Sequence, residues 1–127
     1  MCLSNLDPAI AGKFADAGGG RCVGWKVFLG NRGILSGVVC GHEHRRPGKW
    51  LDAHDFSRRR HLVTHVGEGY PAGWHMFPSK AVAERWAWGA DVVRKVLAKG
   101  PLAFGPQGSL MVGVFRYMRI LPEKGAK

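Results

Sequence analysis

The chain has 127 residues, a length that fits one domain spanning residues 1–127 and leaves little room for a second. Nineteen Lys and Arg against nine Asp and Glu give a net charge of +10, while 46% hydrophobic residues supply material for a self-sufficient core. No apolar run approaches the roughly eighteen residues of a membrane-crossing helix, and no charged leader precedes an apolar stretch, so neither a membrane span nor a secretory signal is expected.

The first element expected is a short helix from Asp7-Pro8 to Ala17, with Asp7 as its N-terminal cap and Gly18 as its left-handed stop. Cys22 to Leu29 and Ile34 to Cys40 are rich in β-branched and aromatic residues and flank Gly30-Asn31-Arg32-Gly33, the pattern of a β-hairpin. From Gly41 to Arg60 polar and basic residues dominate, interrupted by Trp50-Leu51 and Phe56, which reads as a long basic insertion with room for one short strand.

His61–Val66 and Gly73–Phe77 read as two further strands. Ser79 can cap a helix whose apolar face is Val82, Ala83, Trp86 and Ala90, and which ends near Trp88. Val92–Ala98 reads as a strand broken at Gly100-Pro101, with a loop around Gly105-Pro106-Gln107-Gly108. In the last strand, Leu110–Leu121, Leu110, Val112, Val114, Met118 and Ile120 share one parity and Met111, Phe115, Tyr117 and Arg119 the other. With apolar residues on both sides near its start, it suits a central position. Without a regular βαβ alternation, the order predicts an α+β fold: a mainly antiparallel sheet of five to six strands with one or two packed helices.

The basic insertion carries Arg45, Arg46, Lys49, Arg58, Arg59 and Arg60, six of the nineteen cations. Arginine pairs bidentately with phosphate, and Trp50 can stack on a base, so these seven residues form the candidate nucleic-acid-binding set. An acidic protein surface would satisfy the same charges, and a solvated loop pinned to the core by Trp50 and Phe56 is the plainest reading. The expected protein is therefore a small basic non-catalytic binder, with no cofactor and no catalytic residue assigned. A virion or assembly role, with aromatics at subunit contacts, is the structural alternative.

Cys40, His42, His44 and His54 are the first suspects for a metal site, because alternation at 40, 42 and 44 would put three ligands on one side of a strand. One cysteine without a second knuckle argues against it, and no metal is expected. Cys2, Cys22 and Cys40 contain no CxxC pair, so a reducing, cytoplasmic setting is expected rather than a disulfide framework. His61 and Thr64 do not complete a His-x-Thr phosphodiesterase motif. The start Met1-Cys2-Leu3 lacks the glycine that follows the N-terminal cysteine nucleophile of amidotransferases.

Gly73-Trp74-His75-Met76-Phe77-Pro78-Ser79, the helix after it, the strand from Val92 and the ending Ile120-Leu121-Pro122 together resemble ADP-ribosyltransferase-like domains over about half the chain. That resemblance implies a nucleotide pocket, to which Tyr70 and His75 would belong, and a glutamate on or before a late strand. Gly105 to Leu110 holds no acid, so an atypical or degenerate, nucleotide-binding member is implied. The layout of Cys2-Leu3, Trp25-Lys26-Val27 and Gly73–Phe77 is also similar to that of small phage and prophage proteins. It implies a mobile-element origin, with the host cytoplasm as location. His75 stands out in both, and hydrogen bonding within the fold is the simplest role for it.

Overall fold

The computed structural model describes residues 3–31, 34–37, 43–44, 49–55, 61–87 and 91–121. It is α+β and mainly antiparallel, as the pattern predicts. In chain order, a 3-10 turn (Pro8–Lys13) precedes β1 (Ala15–Gly18), β2 (Arg21–Asn31), β3 (Ile34–Gly37), β4 (Glu43–His44) and β5 (Trp50–Asp52). A second 3-10 turn (Ala53–Asp55) leads to β6 (His61–Val63), β7 (Gly69–Pro71) and β8 (Trp74–Met76). The helix α1 (Lys80–Trp86) and the long strands β9 (Asp91–Gln107) and β10 (Leu110–Ile120) complete the order.

The main sheet runs β4-β3-β2-β9-β10-β5, with β1 on β2 and β8 on β10; β6 and β7 form a separate two-stranded sheet. Every recorded pairing is antiparallel. β8 lies against β10 at Gly113–Phe115, and the next residue, Phe77, exchanges two backbone hydrogen bonds of 2.8 Å with Trp25 of β2. The pairings β2-β9-β10-β8 thus return to β2 and close a small ring. Closure removes part of the exposed strand edge and forces the strands to coil.

Inside the ring, Phe28, Met76, Val96, Ala98, Phe115, Met118 and Ile120 are buried together with Ile10 and Phe14. Phe14, Phe104 and Phe115 meet at tilted or edge-on angles with ring centres 5.5–5.8 Å apart, a favourable aromatic geometry. Met76 fits because position 24 is glycine: a Cβ there would strike the Met76 sulfur. A second cluster, Leu3, Val27, Tyr70, Phe77, Ala83, Val112 and Val114, lies where α1 packs on β2 and β9. Ser79 caps α1 as predicted, its hydroxyl accepting from the Val82 amide at 3.3 Å, and Ala83 is the helix residue fully buried.

Four expectations fail for identifiable reasons. The insertion at 41–60, expected to hold one short strand, holds two, because Glu43–His44 pairs with β3 and Trp50–Asp52 with β10. The helix from Asp7 keeps its cap, the Asp7 carboxylate accepting from Ala9, but ends at Lys13. Gly18, Gly19 and Gly20 all have positive φ and turn Ala15–Gly18 back onto β2 as a strand. Gly100-Pro101 does not break the strand. Gly100 takes φ +68°, a register shift beside β10 absorbs one extra residue, and β9 continues through residues 105–107 to a turn at Gly108-Ser109. His61–Val66 ends as a strand at Val63, because residues 64–68 form the connection to β7, with Thr64 accepting from the Gly67 amide.

Residues 3–7 strap the ring. Ser4 and Asp7 amides donate to Pro106 and Phe104 carbonyls at 2.7 and 2.8 Å, and Leu3 is fully buried.

Gly24→Ala is expected to cost about 1–3 kcal/mol by displacing the buried Met76. Gly12→Ala, with nothing within 4 Å of its new methyl, is expected to be neutral or to stabilise by up to about 1 kcal/mol. Urea unfolding of the two variants measures the contrast.

Candidate nucleic-acid interface

Antiparallel ladders place directly opposite residues on the same side of a sheet. Tyr117 pairs with Lys99 of β9 and Asp52 of β5, and Arg119 pairs with Leu97 and Trp50. Leu97, Lys99, Tyr117, Arg119, Trp50 and Asp52 therefore share one face. Their alternates Val96, Ala98, Met118 and Ile120 are all fully buried in the ring. The six face residues are each half-exposed, and Lys95 beside them is exposed. The sequence pattern behind this face is the alternation Lys95-x-Leu97-x-Lys99 and Tyr117-x-Arg119 against buried neighbours.

The Lys99 ammonium sits 4.3 Å from the centre of the Trp50 ring and 5.2 Å from that of Tyr117, close enough for a cation–π attraction to both. The Arg116 guanidinium lies 5.1 Å from the Tyr117 ring. Arg116 also grips Asp52 with two hydrogen bonds, Nε to Oδ1 at 3.2 Å and Nη2 to Oδ2 at 3.1 Å. This pairing, helped by the His54 amide, holds the Asp52 carboxyl below its ordinary range against a smaller effect of desolvation. With 39% and 24% of the two side chains exposed, the pair organises the strand edge more than it stabilises the fold. Its consequence is electrostatic: the acid on this face is already matched by Arg116. Arg119 Nε is buried without a hydrogen-bond partner, so that guanidinium keeps an unused donor.

Of the seven residues expected to bind nucleic acid, Lys49 and Trp50 are described: Lys49 is exposed, and Trp50 begins β5 on the face just defined. Arg45, Arg46, Arg58, Arg59 and Arg60 lie outside the described residues, as do the metal suspects Cys40 and His42. His44 is described in its backbone within β4, and His54 is half-buried in the second 3-10 turn. Among the described residues no three His, Cys, Asp or Glu converge on a possible metal position. Lys99, Tyr117, Arg116 and Arg119 are the face residues that spacing in the sequence missed, because only strand register brings them to Trp50.

Tyr70 and His75 do come together, inside the protein. The Tyr70 hydroxyl is 3.2 Å from His75 Nε2, and His75 Nδ1 is 3.1 Å from the Gly73 carbonyl. A carbonyl only accepts, so Nδ1 carries the proton, Nε2 accepts from the tyrosine, and the tyrosine oxygen accepts from the Leu3 amide at 3.3 Å. The neutral imidazole satisfies every partner. Burial, reinforced by the charge of Lys26 whose ammonium binds the His75 carbonyl at 2.8 Å, pushes the imidazole pKa down to about 3. An open apolar cleft of about 370 Å³ runs nearby, lined by Tyr70, Pro71, Leu102, Phe104, Leu6 and Pro8; His75 is not part of its wall. Burial and then the charge of Asp16 push the half-buried Cys22 thiol up to about 11, which keeps it protonated and a poor nucleophile at neutral pH.

Among the described residues no helix is long and apolar enough to cross a membrane. Comparison with protein-family profiles, with curated proteins and with solved structures finds no match.

The histidine makes a signed prediction. Its folded pKa lies below the ordinary 6.5, so between about 3 and 6.5 the unfolded chain binds a proton that the folded protein refuses. Stability is expected to fall as pH drops through that window, by up to about 1.4 kcal/mol per unit from this group. Urea unfolding at pH 7 and pH 5 measures it. His75→Gln should be less stable than the parent at pH 7 yet lose less between the two values; equal losses would remove His75 from the acid response.

Proposed function

We propose that the protein is a non-catalytic binder of nucleic acid, which it engages through the β9-β10-β5 face and the basic residues 45–60 that adjoin β5. The observation that carries this reading is the face itself. Lys99, Arg116 and Arg119 adjoin two half-exposed aromatic rings, Lys95 lies further along the same face of β9, and Asp52 is matched by Arg116. A polyanion gains from such a surface twice, through its local cations and through a net charge of +10 that draws it in from a distance. Six of the nineteen cations fall between residues 45 and 60, a stretch of sequence that includes β5.

The reading is non-catalytic because the two residues that the resemblance would put in a pocket are occupied within the fold. Tyr70 and His75 spend their polar atoms on each other, Leu3 and Gly73. The stretch in which an ADP-ribosyltransferase-like domain would carry its glutamate ends β9 and turns into β10 without an acid. Origin from a phage or other mobile element remains part of the proposal, supported by the layout of Trp25-Lys26-Val27 and Gly73–Phe77.

Filter binding of labelled oligonucleotides across a salt series tests it. Retention is expected at low salt, with the logarithm of affinity falling linearly by about 0.7–0.9 for each phosphate contacted per logarithmic unit of salt. No retention at low salt, or retention indifferent to salt, would overturn the proposal.

A further inference from the structure

The Trp50–Lys99–Tyr117 cluster carries a narrower conclusion, which rests on the nucleic-acid reading above. We infer that this cluster is a base-stacking site for single-stranded nucleic acid, in which an unstacked base occupies the ring faces that the Lys99 ammonium now covers.

The rings come from two strands that flank one another, Trp50 on β5 and Tyr117 on β10, and both are half-exposed while their neighbours Met118 and Ile120 are fully buried. One ammonium lies over both rings, at 4.3 and 5.2 Å, so the two π-faces border a common space. Lys99 fills that space in the free protein with a flexible, readily hydrated head group. A base brings a larger π-surface to the same rings, and the phosphates that flank it offer the displaced ammonium a charged acceptor a few ångströms away. Arg119 sits opposite Trp50 in the ladder and sets a second cation beside the rings.

Duplex nucleic acid cannot use these rings, because its bases are already stacked and present edges, not faces. The face therefore discriminates by strandedness. Stacking depends little on which base is present, so weak sequence preference is expected, and the chemistry is shared by RNA and DNA. The Arg116–Asp52 pair has a positioning part: it fixes the β5 edge against β10 and so sets the approach of Trp50 to Tyr117.

Fluorescence anisotropy with labelled oligo(dT), oligo(U) and a duplex of equal length, at one low salt concentration, separates the outcomes. Both single strands are expected to bind more tightly than the duplex. Trp50→Ala and Tyr117→Ala should each weaken single-strand binding by about 5- to 140-fold and leave duplex binding unchanged, whereas Trp50→Phe retains most of the affinity. Circular-dichroism melting of each variant checks folding. If Trp50→Ala does not fold, the fraction of tryptophan emission quenched by oligo(dT) in the parent and in Trp50→Phe gives the same answer, since quenching should shrink when Trp50 is the ring removed. Equal binding of single strand and duplex, untouched by these substitutions, overturns the stacking site and leaves charge-driven nucleic-acid binding standing. Binding to none of the three probes overturns both.

Discussion

The reciprocal backbone hydrogen bonds between Trp25 and Phe77 hold the architecture together. Without them β8 would hang from β10 alone, and the sheet would stay open along β2. With them β2, β9, β10 and β8 enclose a single apolar interior, and β9 is bent far enough to pair with β2 at one end and to accept the strap of residues 4–7 at the other. The bend needs Gly100 in the left-handed region and one extra residue in β9 opposite β10. Position 24 must be glycine for the same closure, because Met76 enters the ring beside it.

Closure also decides which surfaces are spent and which are left. α1 packs on β2 and β9, covering one part of the outer side, and the interior takes Val96, Ala98, Met118 and Ile120. The alternate residues at the far end of β9 and β10 receive no such cover and stay half-exposed beside β5. There the chain places cations and aromatics. His75, on the strand that closes the ring, is drawn inside, and its neutral, doubly hydrogen-bonded ring becomes part of the frame that fixes Leu3 and the strap. One pairing event thus removes the most conspicuous histidine from the surface and leaves a different set of residues facing solvent.

Much of the framework was readable from pattern because burial enforces it. Val112, Val114, Met118 and Ile120 share a parity in the sequence and all four are fully buried, but in two clusters, with Phe115 of the other parity beside Met118 and Ile120. The Ser79 cap and the hairpin of β2 and β3 likewise follow from local chemistry. Misreadings arose where a distant partner overrules local punctuation: Gly100-Pro101 stays in a ladder because β10 runs alongside, and Ala15–Gly18 becomes a strand through three glycines and the neighbouring β2. The candidate site was half legible. Trp50 stands out beside a basic run, but Lys99 and Tyr117 are 49 and 67 positions away in sequence and meet it only through strand register.

The central claim is that the uncovered β9-β10-β5 face is the surface that meets nucleic acid. Amide and indole chemical-shift mapping of the full chain during titration with a short single-stranded oligonucleotide addresses it most directly. The account predicts that the largest shifts gather on Lys95, Leu97, Lys99, Tyr117, Arg119 and the Trp50 indole, while α1 and the β6-β7 sheet stay still. Shifts concentrated on α1 or on the β6-β7 sheet, with this face silent, would contradict it.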